Sequence, residues 1–238
     1  MKTLFFLFTC FSVYICAYGG NTAPFITPCR QSDSSCLKTT AQKAVPVLAA
    51  GYADLQMISM DPMHISRIKS NQAGLQMDFK NSVVKGLRKC IVLDLTRKDN
   101  KIKIKTKCSA VLIGDYKLNG KLLIMPIEGS GKYKIKITDI IVDFSFEMGE
   151  RRSAGDVYWV FQNWRYNQQV DGNVRFHFQN LFNGNKELSD SIHEFANSNW
   201  KDIFNELSQP IMDAVMKKIV AEIRKLFDKV PLKELVLD

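Results

Sequence analysis

Any chemistry done by this chain would have to be built on its six cysteines, its three histidines and one glycine-rich run, Gly129-Ser-Gly-Lys132. Cys10 and Cys16 fall in an apolar N-terminal stretch, which leaves Cys29, Cys36, Cys90 and Cys108. An even count in an exported chain reads as two disulfides. No Cys-x-x-Cys pair occurs, and with only His64, His177 and His193 beside these cysteines no metal site is expected. The histidines read as ordinary surface or half-buried residues, with His177 or His193 able to tune ligand release with pH. The glycine run fails as a phosphate loop: Pro126 stands where the first glycine belongs, Tyr133 replaces the Ser or Thr, and no helix follows. It reads as a turn between strands. Neither a Gly-x-Ser-x-Gly elbow nor a His-Glu-x-x-His pair is present. No catalytic residue and no cofactor is therefore expected, and the chemistry left is non-covalent binding.

The elements that must position these residues begin after an export signal. Lys2 precedes an apolar run from Leu4 to Ala17, and small residues follow at Ala17, Gly19 and Gly20. This reads as a secretory signal peptide over 1–19, cut near Gly19 with Ala17 as the other choice, because a membrane span needs about 20 apolar residues. Residues 20–238 are then expected to form a single secreted, extracellular, monomeric domain. Its composition, 46% hydrophobic and 24% charged, excludes a disordered or low-complexity chain. The 33 basic and 24 acidic residues leave a net charge of +9. Nucleic acid is not an expected partner, because the aromatics follow the apolar face and do not interleave with the lysines.

Leu37, Ala41, Ala44 and Leu48 recur at helical spacing over 35–50, and Gly51 supplies a stop. Cys29 and Cys36 would close a small loop at the mouth of this helix. From Leu55 to Phe182 the apolar period falls to two, the mark of half-buried strands. Lys101, Lys103, Lys105 and Lys107 point one way, while Ile102, Ile104, Thr106 and Cys108 point the other. The residues 90–96 and 101–113 form a hairpin. A three-residue turn at Lys98, Asp99 and Asn100 sets Cys90 opposite Cys108; a four-residue turn aligns the apolar faces better and throws Cys90 to the far side; a bulge would reconcile them. After Ile137 the apolar parity slips to Ile140, Val142, Phe144 and Phe146, which places a bulge or bend near Thr138 and Asp139. The last fifty residues return to helical period from Ile192 to Leu226. A Ser191/Glu194 capping box opens that helix, Pro231 ends it, and Pro210 kinks or divides it. An apolar stripe of this length needs an equally long partner. The fold class is therefore α+β, with a highly curved antiparallel sheet wrapped around a long C-terminal helix.

These residues resemble the insect Takeout and juvenile hormone binding protein family, within the wider group of tubular lipid-binding proteins. The resemblance is carried by Cys29-x6-Cys36-Leu37, Met60-Asp-Pro-Met-x-Ile65, Val84-Lys-Gly-Leu87, Gly114-Asp-Tyr-Lys-Leu-Asn-Gly120, Pro126-Ile-Glu-Gly-Ser-Gly131, and Asn180-Leu-Phe-Asn-Gly-Asn-Lys-x-Leu188 followed by Asn199-Trp200-Lys201. It implies an internal hydrophobic tunnel, secretion, and carriage of a small lipophilic ligand such as juvenile hormone, a related terpenoid or a fatty lipid. The haemolymph hormone carriers place their second disulfide later in the chain, whereas the extra pair here is Cys90 and Cys108. That departure moves the chain toward the Takeout-like branch.

The candidate tunnel residues are Phe144, Phe146, Val160, Phe176 and Phe178 from the sheet and Phe195, Ile211 and Val215 from the helices. Tyr133 and Trp159 add rings whose polar ends would meet a ligand oxygen. Burying roughly 400 Å² of a lipid chain is worth on the order of 10 kcal/mol. After about 4 kcal/mol or more of association cost, micromolar affinity needs no catalytic group. The Lys101 to Lys107 stripe reads as a solvated edge defence. The alternative function is docking to an anionic membrane or a receptor through Lys101, Lys103, Lys105 and Lys107, with any tunnel lipid only structural.

Overall fold

The computed structural model describes residues 22–237; the signal-peptide reading falls outside the described residues. Asp33 starts the first helix by accepting the Cys36 N–H at 2.9 Å, and α1 runs Ser34–Ala50. Gly51 ends it at φ 86°, where a Cβ would meet the backbone of Ser59 at 2.8 Å. Six strands follow: β1 Met63–Gln72, β2 Leu75–Lys85, β3 Ile91–Lys98, β4 Lys101–Leu122, β5 Met125–Ser153 and β6 Asp156–Phe178. They form one antiparallel sheet in the order β1-β2-β4-β5-β6, with β3 paired to the part of β4 that β2 leaves open.

The expected bulge is where the parity slip places it. The β5–β6 pairing shifts between Thr138 and Ile140 of β5, and the β4–β5 pairing shifts between Cys108 and Ala110 of β4, with Asp139 at φ 53°. Consecutive bulges across adjacent strands bend the sheet without losing the inward set. Inward side chains such as Ile135, Ile137, Ile140, Val142, Phe144 and Phe146 all stay buried.

The C-terminal helix is three helices: α2 Lys186–Ser198, α3 Trp200–Leu207 and α4 Gln209–Lys229. Pro210 lies in the first turn of α4, where its missing N–H costs nothing. The start expected at Ser191 is corrected. Asn185 caps α2 by accepting the Leu188 N–H, and Ser191 instead donates to the Glu187 carbonyl one turn back. α4 packs on both β1 and β6, the two ends of the strand order, and so closes the roll. Buried Glu222 on α4 accepts the Ile58 N–H and the Lys225 ammonium, each at 2.9 Å, which fixes the segment entering β1.

Bare strand edges invite pairing with other chains, and here two of them are covered by helical side chains. Gln42 of α1 accepts the Val92 N–H of β3 and donates to the carbonyl of Cys90, the residue just before that strand. Asn197 of α2 accepts the Phe176 N–H and donates to its carbonyl on β6, and His193 accepts the Phe178 N–H.

Two sequence readings are corrected by this topology. The glycine run is part of β5, not a turn; a Cβ on Gly131 would lie 2.5 Å from the Gln179 carbonyl, so glycine permits the close approach of the chain leaving β6. The β4–β5 turn is instead at Leu123-Ile124, with Ile124 exposed. The lysine stripe is no edge: β4 is flanked by β3 and β5 along that stretch, so the lysines form the outer face of the sheet's middle. Lys101 and Lys105 sit 3.5 and 3.6 Å from Glu147 and Asp143 on β5.

Candidate ligand-binding site

Between the sheet and the helices lie a wide cavity of about 360 Å³ and a narrow one of about 60 Å³. They adjoin at Leu112, Ile137, Ile211 and Met212, which line both. The wide cavity is roofed by α1 through Thr40, Ala41, Ala44, Val45 and Leu48, small or slender side chains that leave space beneath them. Its other walls are Leu95, Ile102, Ile104, Val142, Phe144 and Phe146 of the sheet and Val215, Ile219, Ile223 and Phe227 of α4. The α4 residues recur every three or four positions, so one helix face supplies them all. The narrow cavity is walled by Phe176, Phe178, Ala196, Ile203 and Phe204, where large rings fill most of the space.

Of the residues selected from sequence, Phe144, Phe146, Trp159, Ile211 and Val215 line the wide cavity, and Phe176, Phe178 and Ile211 line the narrow one. Tyr133, Val160 and Phe195 line neither. The Tyr133 hydroxyl, expected to meet a ligand, donates to the Ser82 hydroxyl at 2.8 Å in the core. Burial is the main cause that raises its pKa, so it stays a neutral donor. Tyr116 is likewise pushed up to about 12 by burial, and its hydroxyl donates to the Gln179 carbonyl at 2.7 Å. Val160 points away because the β5–β6 register shifts between Phe146 and Met148, which turns Phe161 and Trp159 inward in its place. Phe195 precedes the sheet-facing Ala196 by one residue, about 100° around the helix.

Both cysteine pairs are bonded, Cys29–Cys36 with Cα atoms 5.8 Å apart and Cys90–Cys108 at 4.4 Å. The hairpin that carries the second bond uses neither turn considered. Lys98 pairs with Lys101 across a two-residue turn, Asp99-Asn100, which aligns Leu95 with Ile104. A bulge between Val92 and Asp94 then shifts the register by one and brings Cys90 to Cys108. Apolar alignment and disulfide are thus both satisfied.

Sequence reasoning passed over Arg97. It occupies the same inward parity of β3 as Leu95, lines the wide cavity, and lies with its guanidinium carbon 5.9 Å from the Trp159 ring centroid. The alternation Leu95-Thr96-Arg97 was the available signal.

The geometry has relatives. The structure of Takeout 1 from Epiphyas postvittana superposes with a TM-score of 0.87 at 31% identity, covering 90% of this chain and all of that one. The circadian clock-controlled protein daywake of Drosophila melanogaster is 26% identical over 221 residues, 87% of this chain and 85% of that protein. Its Drosophila yakuba counterpart is 25% identical over the same span. Residues 5–237 match the profile of haemolymph juvenile hormone binding proteins, and the chain belongs to that family.

Proposed function

We propose that the protein is a secreted, monomeric carrier that holds one small lipophilic molecule, a terpenoid or a fatty lipid, in the wide cavity and shields it from water. The observation that carries this reading is the cavity itself: about 360 Å³ of space walled almost wholly by apolar side chains. That size falls within the roughly 300–1,000 Å³ typical of small-molecule sites. Protein interiors are otherwise packed with few voids larger than a water molecule, so unfilled apolar space on this scale points to cargo. The family and the Takeout 1 likeness support the same class of ligand. The two cysteine bridges fit an extracellular setting.

Organic extraction of the purified protein followed by mass spectrometry should release a lipophilic small molecule, and the emptied protein should take up a fluorescent fatty probe that unlabelled lipid displaces. A protein that holds no extractable molecule and takes up no probe would end the carrier reading.

A further inference from the structure

The outer face of the sheet carries a row of cations that no carboxylate among the described residues neutralises. Lys85 of β2 pairs with Val111 of β4, Val111 with Lys136 of β5, and Lys136 with Arg175 of β6, so these four residues lie side by side across the sheet. Directly opposed residues share a face. Their chain neighbours Val84, Leu112, Ile135, Ile137 and Val174 are buried, so this row points outward. The row next to it holds Val83, Ile113, Lys134 and His177. Lys85, Lys134, Lys136 and Arg175 are exposed, whereas Val83, Val111 and Ile113 are half-buried. Neither row contains an acidic residue, and among the described residues none of the four cationic side chains makes a hydrogen bond or an ion pair. The carboxylates that border these rows are engaged already, Asp115 by Lys132 and Asn81 and Asp139 by the Ser109 hydroxyl. The lysine stripe further along β4 differs, since Lys101 and Lys105 stand beside Glu147 and Asp143.

We infer that this face docks the protein on an anionic lipid bilayer, with Lys85, Lys134, Lys136 and Arg175 meeting the headgroups and the aliphatic floor of Val83, Val111 and Ile113 lying beneath them. Like charges directly opposite each other on neighbouring strands repel. Lys136 and Arg175 form such a pair, and the fold supplies no counter-charge for it. An anionic surface relieves that repulsion, and each Lys or Arg close to it adds an attraction that fades within a Debye length. Lys85 and Arg175 stand three strand spacings apart, about 14 Å at about 4.8 Å each. The row is therefore matched to an extended charged surface and not to one small anion. Long stems can lie along the aliphatic floor while their charged heads stay in the headgroup layer. The choice of a bilayer as the anion rests on the carrier reading, because a water-insoluble cargo is collected from a membrane or delivered to one.

The test is co-flotation of the purified protein with vesicles of phosphatidylcholine, alone or with about 30% phosphatidylserine, at about 0.1 M and about 1 M salt. Wild type should bind only the phosphatidylserine vesicles, and only at the lower salt. The double variant Lys136→Gln/Arg175→Gln should lose about twentyfold in vesicle affinity, at about fivefold per charge, while its uptake of the fluorescent fatty probe and its unfolding midpoint hold. Lys101→Gln/Lys105→Gln removes the same net charge from side chains that already face carboxylates and should bind vesicles nearly as wild type does. Equal losses in the two double variants, equal binding to phosphatidylcholine alone, or no vesicle binding at all would overturn the inference. So would capture on heparin without vesicle binding, which would assign the face to a soluble polyanion. Each of these results leaves the carrier reading standing as long as the fatty probe still enters; failure of wild type to take up that probe would overturn the carrier reading instead.

Discussion

Two helices are fastened to bare strand edges in this molecule, and the fastenings differ in one group. Gln42 ties α1 to β3 with an amide that does not titrate, whereas α2 is tied to β6 by the Asn197 amide and by the His193 imidazole. What they cover differs too. Beneath α1, alanines and a threonine face open space; beside α2, Ala196 and the rings of Phe176 and Phe178 leave only about 60 Å³. The same long strands, β4 and β5, run through both ends, so the sheet does not set the contrast. The covering helix and the size of the facing side chains set it. One end is built to hold something and the other to hold together.

That division is broken most severely at the narrow end. Phe178 is buried and packs against Tyr116 at 4.9 Å and Tyr133 at 6.3 Å. Phe178→Ala should cost about 3–5 kcal/mol in denaturant unfolding, with probe uptake by the folded fraction unchanged. Loss of uptake in protein that is still folded would mean the two cavities act as one. The next largest effect belongs to the wide end. Replacing Cys90 and Cys108 together by alanine should cost about 3 kcal/mol. Hydrogen exchange should then speed up in α1 and β3 and not in α2. Equal loosening of both helices would contradict the independence of the ends.

Val215→Trp sharpens the comparison from the side of function. Val215 is buried on the cavity-facing stripe of α4, and an indole there occupies space a ligand would use. Probe affinity should fall about tenfold, or about 1.4 kcal/mol, while the midpoint of thermal unfolding holds or rises. Collapse of the fold with uptake retained in the remaining folded protein would show that this face is solid core.

Much of this was legible in the chain because parity survives burial. The slip after Ile137 marked the Asp139 bulge, and Pro210 marked the division before α4. Where reading failed, an unseen insertion had flipped parity. Counting back along β6 from Phe178 in steps of two reaches Val160, but the register shift opposite Glu147 exchanges it for Phe161 and Trp159. The hairpin carrying Cys90 was ambiguous for the same reason, since the bulge after Val92 gives one strand two registers. Ser191 looked like a helix start because a serine followed by a glutamate three residues later satisfies a local rule. Asn185 caps the helix earlier without any glutamate three residues on, by accepting the Leu188 N–H after a glycine-containing turn. Arg97 was missed because charge was taken to mean solvent, and an inward parity outweighs that.

The smallest effect concerns the one titratable fastening. The Phe178 N–H can only donate, at 2.9 Å, so His193 Nε2 must be bare; the Ser189 carbonyl can only accept, so Nδ1, 2.8 Å away, carries the proton. The ring is thus neutral when docked. Burial lowers its pKa below the usual histidine value, assisted by His177 5.3 Å away and opposed by the Ser189 carbonyl and Asp190. A depressed folded pKa means that the unfolded or undocked form binds the proton more readily, so docking strength is fully present above about pH 6.5 and declines as pH falls through the window below it. Protonation also turns Nε2 into a donor facing another donor, removing one hydrogen bond worth about 0.5–1.5 kcal/mol. Amide exchange in α2 should therefore quicken between neutral and mildly acidic pH, corrected for intrinsic chemistry, while α1 behind Gln42 does not change. His193→Asn, which offers an oxygen acceptor and no titration, should flatten the response of α2 to match. If α2 loosens to the same extent in that variant, the acid sensitivity lies elsewhere and the two fastenings are chemically alike.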